Sequence, residues 1–74
     1  MTSEVPLIVT AADLRAARYC FAGVRPWFAR HGLDWQAFIE QGISADRLRA
    51  TGDALIEPVI QAAELREAQG RSAD

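Results

Sequence analysis

The chain has 74 residues, half of them apolar, with ten acidic residues against eight basic ones and a net charge of −2. One cysteine, Cys20, and one histidine, His31, exclude an internal disulfide and a protein-only Cys/His zinc site, while the apolar fraction excludes wholesale disorder and the apolar runs are too short to span a bilayer. A single domain of this size buries only about 60 to 65% of the surface its unfolded chain exposes and draws about 3 to 5 kcal/mol from its core, so self-association or docking on a larger partner is the expected supplement.

Val5, Leu7 and Val9 alternate in an apolar segment interrupted by Pro6, which reads as an extended arm over residues 1–9 or a short edge strand. An apolar arm needs a surface to lie on, either its own domain or a partner. Thr10 and Asp13 have the spacing of a capping box, and a helix is expected from Ala11 to about Cys20 with Leu14, Ala17 and Phe21 on one face. Gly23 reads as a break, and Pro26 suits the first turn of a second helix that carries Val24, Trp27 and Phe28 to a stop at His31-Gly32.

Gly32, Gly42 and Gly52 fall ten residues apart, each followed by a residue able to cap the next helix. Asp34 opens a third helix with Trp35, Phe38 and Ile39 inward. Ser44 opens a short fourth with Ala45 and Leu48 on its inner side. Asp53 opens the last, with Leu55, Ile56, Val59, Ile60 and Ala63 at helical spacing, although Pro58 should kink it or move its start to about Glu57. The expected architecture is a compact all-α bundle of four or five short helices over residues 10–69, preceded by the extended arm and followed by a frayed tail over residues 70–74.

No catalytic, nucleotide or metal motif stands out, so the chain reads as non-enzymatic and without a cofactor. Cys20 and His31 lack the orienting group and oxyanion pocket of a nucleophilic pair. The densest segment is Arg25 to Trp35, which holds both tryptophans, two arginines and the histidine. Trp and Arg are the residues most enriched at binding hot spots; Trp27 and Trp35 are the expected anchors, with Arg25 and Arg30 supplying orientation. Trp27, Phe28, Trp35 and Phe38 recur at three, seven and eleven positions, which also suits an aromatic core on the joined faces of two short helices.

Every basic residue is arginine. Arg15, Arg18, Arg25 and Arg30 face only Glu4, Asp13 and Asp34 in the first half, whereas seven acids face four arginines in the second. Helix, turn and helix around Gly23 give an alternative reading as a helix-turn-helix DNA binder with these four arginines on phosphates. An acidic chain without lysine is poorly placed for that, and Pro26, Trp27 and Phe28 leave few polar groups for base edges.

The runs Asp-Leu-Arg-Ala-Ala-Arg-Tyr-Cys (13–20), Gly-Val-Arg-Pro-Trp-Phe-Ala-Arg-His-Gly-Leu-Asp-Trp (23–35), Phe-Ile-Glu-Gln-Gly-Ile (38–43) and Ala-Thr-Gly-Asp-Ala (50–54) resemble a group of small proteins of tailed bacteriophages and proteobacterial prophages, encoded near virion assembly genes. The resemblance covers about residues 8–63. It implies a phage setting: a virion component of tail or head, an assembly factor, or an inhibitor of a host protein, made in the host cytoplasm and working by docking on a larger phage or host protein.

Overall fold

The computed structural model describes residues 7–72, and residues 1–6 with Val5 lie outside that range. In chain order it consists of β1 (Ile8–Val9), α1 (Ala11–Ala16), α2 (Phe21–Arg30), α3 (Trp35–Gln41), β2 (Ile43–Ser44), α4 (Ala45–Arg49), a 3-10 turn (Ala54–Ile56) and α5 (Glu57–Ser72). The architecture is thus an all-α bundle of short helices, with β1 and β2 forming a two-residue antiparallel ribbon in the register Ile8 to Ser44 and Val9 to Ile43.

Local chemistry sets the helix starts. Asp34 accepts the Ala37 N–H at 3.1 Å, Ser44 the Asp46 N–H at 3.2 Å and Asp53 the Leu55 N–H at 3.0 Å, each satisfying a donor left free at a helix start. Pro58 moves the start of the last α-helix to Glu57, as its missing N–H requires. Helix α2, by contrast, starts before Gly23 and carries Pro26 inside it, because the Cys20 thiol caps it by accepting the Gly23 N–H at 3.3 Å. The turn between α1 and α2 therefore lies at residues 17–20, and α1 stops at Ala16, short of the expected Cys20. At the other end α5 continues to Ser72, past the limit expected at Gln69, while residues 73–74 lie outside the described range.

Two stops show how tightly the connections are built. After α1 the Tyr19 N–H reaches the Leu14 carbonyl and the Arg18 N–H the Arg15 carbonyl, both at 2.9 Å. This doubly bonded stop puts the residue between them in the left-handed region favoured by glycine, and here that residue is Arg18, at φ 65°. At Gly42, φ is 81° and an added Cβ would come within 2.6 Å of Ile8 Cγ2 and 2.9 Å of the Val9 carbonyl. A side chain there would push β1 away.

The core is continuous from Val9 and Leu14 through Val24, Trp27, Phe28 and Phe38 to Leu48, Ile56, Val59, Ile60 and Ala63. Helix α5 lies along both α1 and β1. The polar junction among them is Asp13, only 1% exposed. Its Oδ1 accepts Arg66 Nε at 3.0 Å, and its Oδ2 accepts both Arg66 Nη2 at 3.0 Å and the Thr10 N–H at 2.8 Å. Arg66 Nη2 also donates to the Ile8 carbonyl at 2.7 Å, so one guanidinium holds strand, first helix and last helix together. A second arginine, Arg49 of α4, pairs with Glu64 at 3.1 Å and Glu57 at 3.7 Å on the exposed side of α5.

Four expectations from the sequence are corrected. Ile39 (40% exposed) and Leu55 (52%) point outward where helical spacing places them inward. For Leu55 the cause is the 3-10 turn, whose three-residue period rotates it off the face that an α-helix would give it. The other two concern the arm as a partner contact: Val9 is fully buried and Leu7 half-buried against the chain's own core, the first of the two surfaces open to it.

Arg66→Ala should lower the unfolding free energy by about 2–3 kcal/mol, since it leaves a buried carboxylate with only its Thr10 partners while Arg66 itself is partly solvated. Urea unfolding measures this; Arg66→Lys should recover less than half of the loss, because an ammonium cannot reproduce the fork. Arg18→Gly should raise stability by about 0.5–1 kcal/mol by relieving the left-handed arginine, net of the extra freedom of glycine in the unfolded chain. A lower urea midpoint for Arg18→Gly would contradict the strain.

Candidate functional site

Helix α2 organises the surface by dividing it. Phe21, Arg25 and Phe28 follow one another at four and three residues and form one stripe; Gly23, Trp27 and Arg30 repeat the spacing on another. Arg25 and Arg30, five residues apart, stand about 140° from each other around the axis at 3.6 residues per turn. The two arginines that the sequence groups together thus occupy opposite margins of the helix, with Val24 and Phe28 buried between them.

On the Arg25 margin, α3 packs its aromatic residues against α2. Trp35 meets Phe28 edge to face at 5.2 Å and Phe21 at 5.8 Å, and Phe38 closes the array behind it. Trp35 and Phe21 remain half-buried, so parts of both rings reach the surface. The Arg15 guanidinium lies 5.2 Å from the centre of the Phe21 ring, within cation–π range. Arg25 is exposed beside them. Among the described residues only Arg49 and Arg66 form ion pairs with carboxylates, leaving Arg15, Arg18, Arg25, Arg30 and Arg47 without one.

On the opposite margin Trp27 is 2% exposed, and as a core residue it is not the surface anchor that its type suggests. Its Nε1 donates to Asp53 Oδ2 at 2.8 Å, pinning α2 to the start of the 3-10 turn. The His31 ring packs on the indole at 4.4 Å, with Nε2 3.8 Å from the same carboxylate oxygen. Asp53 is held below the usual carboxylate range, first by the Trp27 indole N–H, then by the Leu55 backbone N–H, with smaller help from His31 and Arg30 and partial opposition from burial.

Beyond Trp27 the structure contains an apolar cleft of about 150 Å³ that sequence reasoning missed. Tyr19, Gly23 and Val24 line it together with Trp27, Leu55 and Ile56. The Tyr19 hydroxyl donates to the Leu55 carbonyl across 36 positions of sequence and ties the two walls. The one local hint was Gly23. It lies within a helix and outside the left-handed region, where nothing in the backbone calls for glycine. Among the described residues no cluster of His, Cys, Asp and Glu could hold a metal ion, and no helix is long and apolar enough to cross a membrane.

The lowered pKa of Asp53 gives a stability contribution that is full above the ordinary carboxylate range, near pH 3.9, and is lost as pH falls through the lower folded-state value. Asp53→Asn should therefore be less stable than the parent at pH 7, and the gap between their urea midpoints should narrow as pH is lowered below the ordinary carboxylate range. A gap that stays constant over that range would rule out the charge as its source.

No protein-family description matches the chain, and no curated protein or solved structure matches it.

Proposed function

We propose that the chain is a small non-enzymatic protein-binding module of a tailed phage, serving as a virion component or assembly factor by docking on a larger phage or host protein. The phage setting rests on the sequence resemblance. The observation that supports docking is the Arg25 margin of α2: Arg15 and Arg25, which pair with no carboxylate among the described residues, beside the half-buried rings of Phe21 and Trp35. Trp and Arg together, with the ring already held by its neighbours, lose little freedom when a partner covers them. Arg25 and Trp35 are the contacts on this face. Arg30 belongs to the other margin, and Trp27 acts only as a wall behind it.

An inhibitor of a host protein would use the same face. A DNA-binding regulator would place Arg15, Arg18, Arg25 and Arg30 on phosphates. Salt separates that last reading from docking, since phosphate contacts weaken steeply with ionic strength.

Tagged protein recovered from phage-infected cells should retain a protein partner in fixed stoichiometry after nuclease treatment and in about 0.5 M salt, where exposed charges are screened within about 5 Å. Arg25→Ala should weaken that complex about tenfold or more, with far-ultraviolet circular dichroism unchanged. Unchanged affinity would remove Arg25 from the contact, and retention of DNA without protein would put the regulator in its place.

A further inference from the structure

The face formed by Arg15, Phe21, Trp35 and Arg25 carries positive charge that the fold itself leaves unmatched. Arg25 stands on the stripe between Phe21 and Phe28, and Trp35 packs on both of those rings, so Arg25 rises at the edge of the indole. Its guanidinium forms no ion pair among the described residues. The Arg15 guanidinium has the Phe21 ring, 5.2 Å from the ring centre, as its partner. Stacking of this kind holds the planar fork while leaving its N–H donors free for a carboxylate. Helix α2 also begins here, with Phe21 as its first residue and no acid in its first turn, so the positive end of the helix adds to the same field.

The chain's own acids are committed elsewhere. Asp34, next to Trp35 in sequence, caps α3 by accepting the Ala37 N–H. Asp13 and Glu67 pair with Arg66, Glu57 and Glu64 with Arg49, and Asp53 accepts the Trp27 indole N–H. A second copy of the chain would therefore bring few free carboxylates to this face. A nucleic-acid backbone matches it poorly as well, since a duplex presents a charge about every 1.7 Å, whereas here two arginines flank apolar rings on a chain of net charge −2. What matches is a short anionic element with apolar surface between its charges.

We infer that this face takes an acidic segment of a partner protein, one apolar side chain lying on the Phe21 and Trp35 rings and the neighbouring carboxylates meeting Arg15 and Arg25. A guanidinium receives a carboxylate through two parallel hydrogen bonds, which fixes the segment's position as well as its charge. The inference rests on the docking reading above and names the chemistry of what is docked.

The test is a titration of the whole ¹⁵N-labelled protein, in about 0.15 M salt, with three blocked peptides: DEFED, the neutral NQFQN and the lysine-flanked KKFKK. DEFED should give saturable shifts at the Trp35 indole and the Phe21 amide, NQFQN should bind about tenfold more weakly, and KKFKK more weakly still. Arg15→Gln and Arg25→Gln should each weaken DEFED about three- to fivefold, with far-ultraviolet circular dichroism unchanged because neither guanidinium pairs with a carboxylate in the fold. Arg30→Gln, about 140° away around α2, should leave DEFED binding as it is. Shifts absent from Trp35 and Phe21, equal binding of NQFQN, or an equal loss with Arg30→Gln would overturn the assignment. So would an oligothymidine that moves the same signals and binds more tightly than DEFED, since the arginines would then belong to phosphates, or sedimentation showing a dimer of the chain alone that Arg25→Gln dissociates. A partner from infected cells that is lost with Arg25→Ala, while DEFED and NQFQN bind alike, would leave the docking module standing and remove only the acidic character of its ligand.

Discussion

A carboxylate removed from water near one end of the chain and a guanidinium near the other hold this fold closed. Alone, neither β1 nor α1 is stable: two residues make no strand, and six make less than two turns of helix, far below the length at which helices persist in water. Both are secured because Arg66 reaches the Ile8 carbonyl and both oxygens of Asp13, while Thr10 completes the carboxylate's shell. That junction lets Val9 and Leu14 enter the same core as Val59, Ile60 and Ala63. In a domain whose core supplies only about 3 to 5 kcal/mol, a junction of this kind determines whether the first elements belong to the fold.

The parts legible in the sequence are those governed by a few neighbouring residues. Asp34, Ser44 and Asp53 as caps, Gly32, Gly42 and Gly52 as left-handed stops, and the restart at Glu57 ahead of Pro58 all follow from local donor and acceptor accounting. The failures are of two kinds. Cys20 is an uncommon cap and Arg18 an uncommon occupant of a left-handed position, so residue type pointed elsewhere and the boundary was misplaced to Gly23. The pairing of Asp13 with Arg66, the indole bond from Trp27 to Asp53 and the clamp from Tyr19 to Leu55 join residues 26 to 53 positions apart, beyond the reach of any periodicity. For the same reason the candidate surface was only half legible. Arg25 and Trp35 are exposed to differing degrees as their types suggest, whereas burial of Trp27 and the outward turn of Leu55 depend on what the 3-10 turn brings against α2.

Helix α2 thus carries two dissimilar margins in ten residues. One is an aromatic cluster whose rings support one another, flanked by arginines; the other is a hollow whose walls are fixed by hydrogen bonds to a distant segment. Pre-formed surfaces of this kind bind without first ordering themselves, which is how a small interface retains useful affinity. The aromatic cluster that supports the first margin, Phe28 with Trp35 and Phe38, is also the centre of the core, so shape on the outside and stability on the inside come from the same rings.

The arginine-only composition has a consequence for the junction in alkaline solution. A lysine in place of Arg66 would lose its proton near pH 10.4 and with it the attraction to Asp13. The guanidinium is raised still further above its already high ordinary value, chiefly by its hydrogen bonds to Asp13, opposed next by burial and helped less by the charges of Asp13 and Glu67. Because a raised folded-state value is lost only as pH climbs through it, the clasp between the two ends persists through the alkaline interval between the lysine value and its own, where a lysine-based one would have opened.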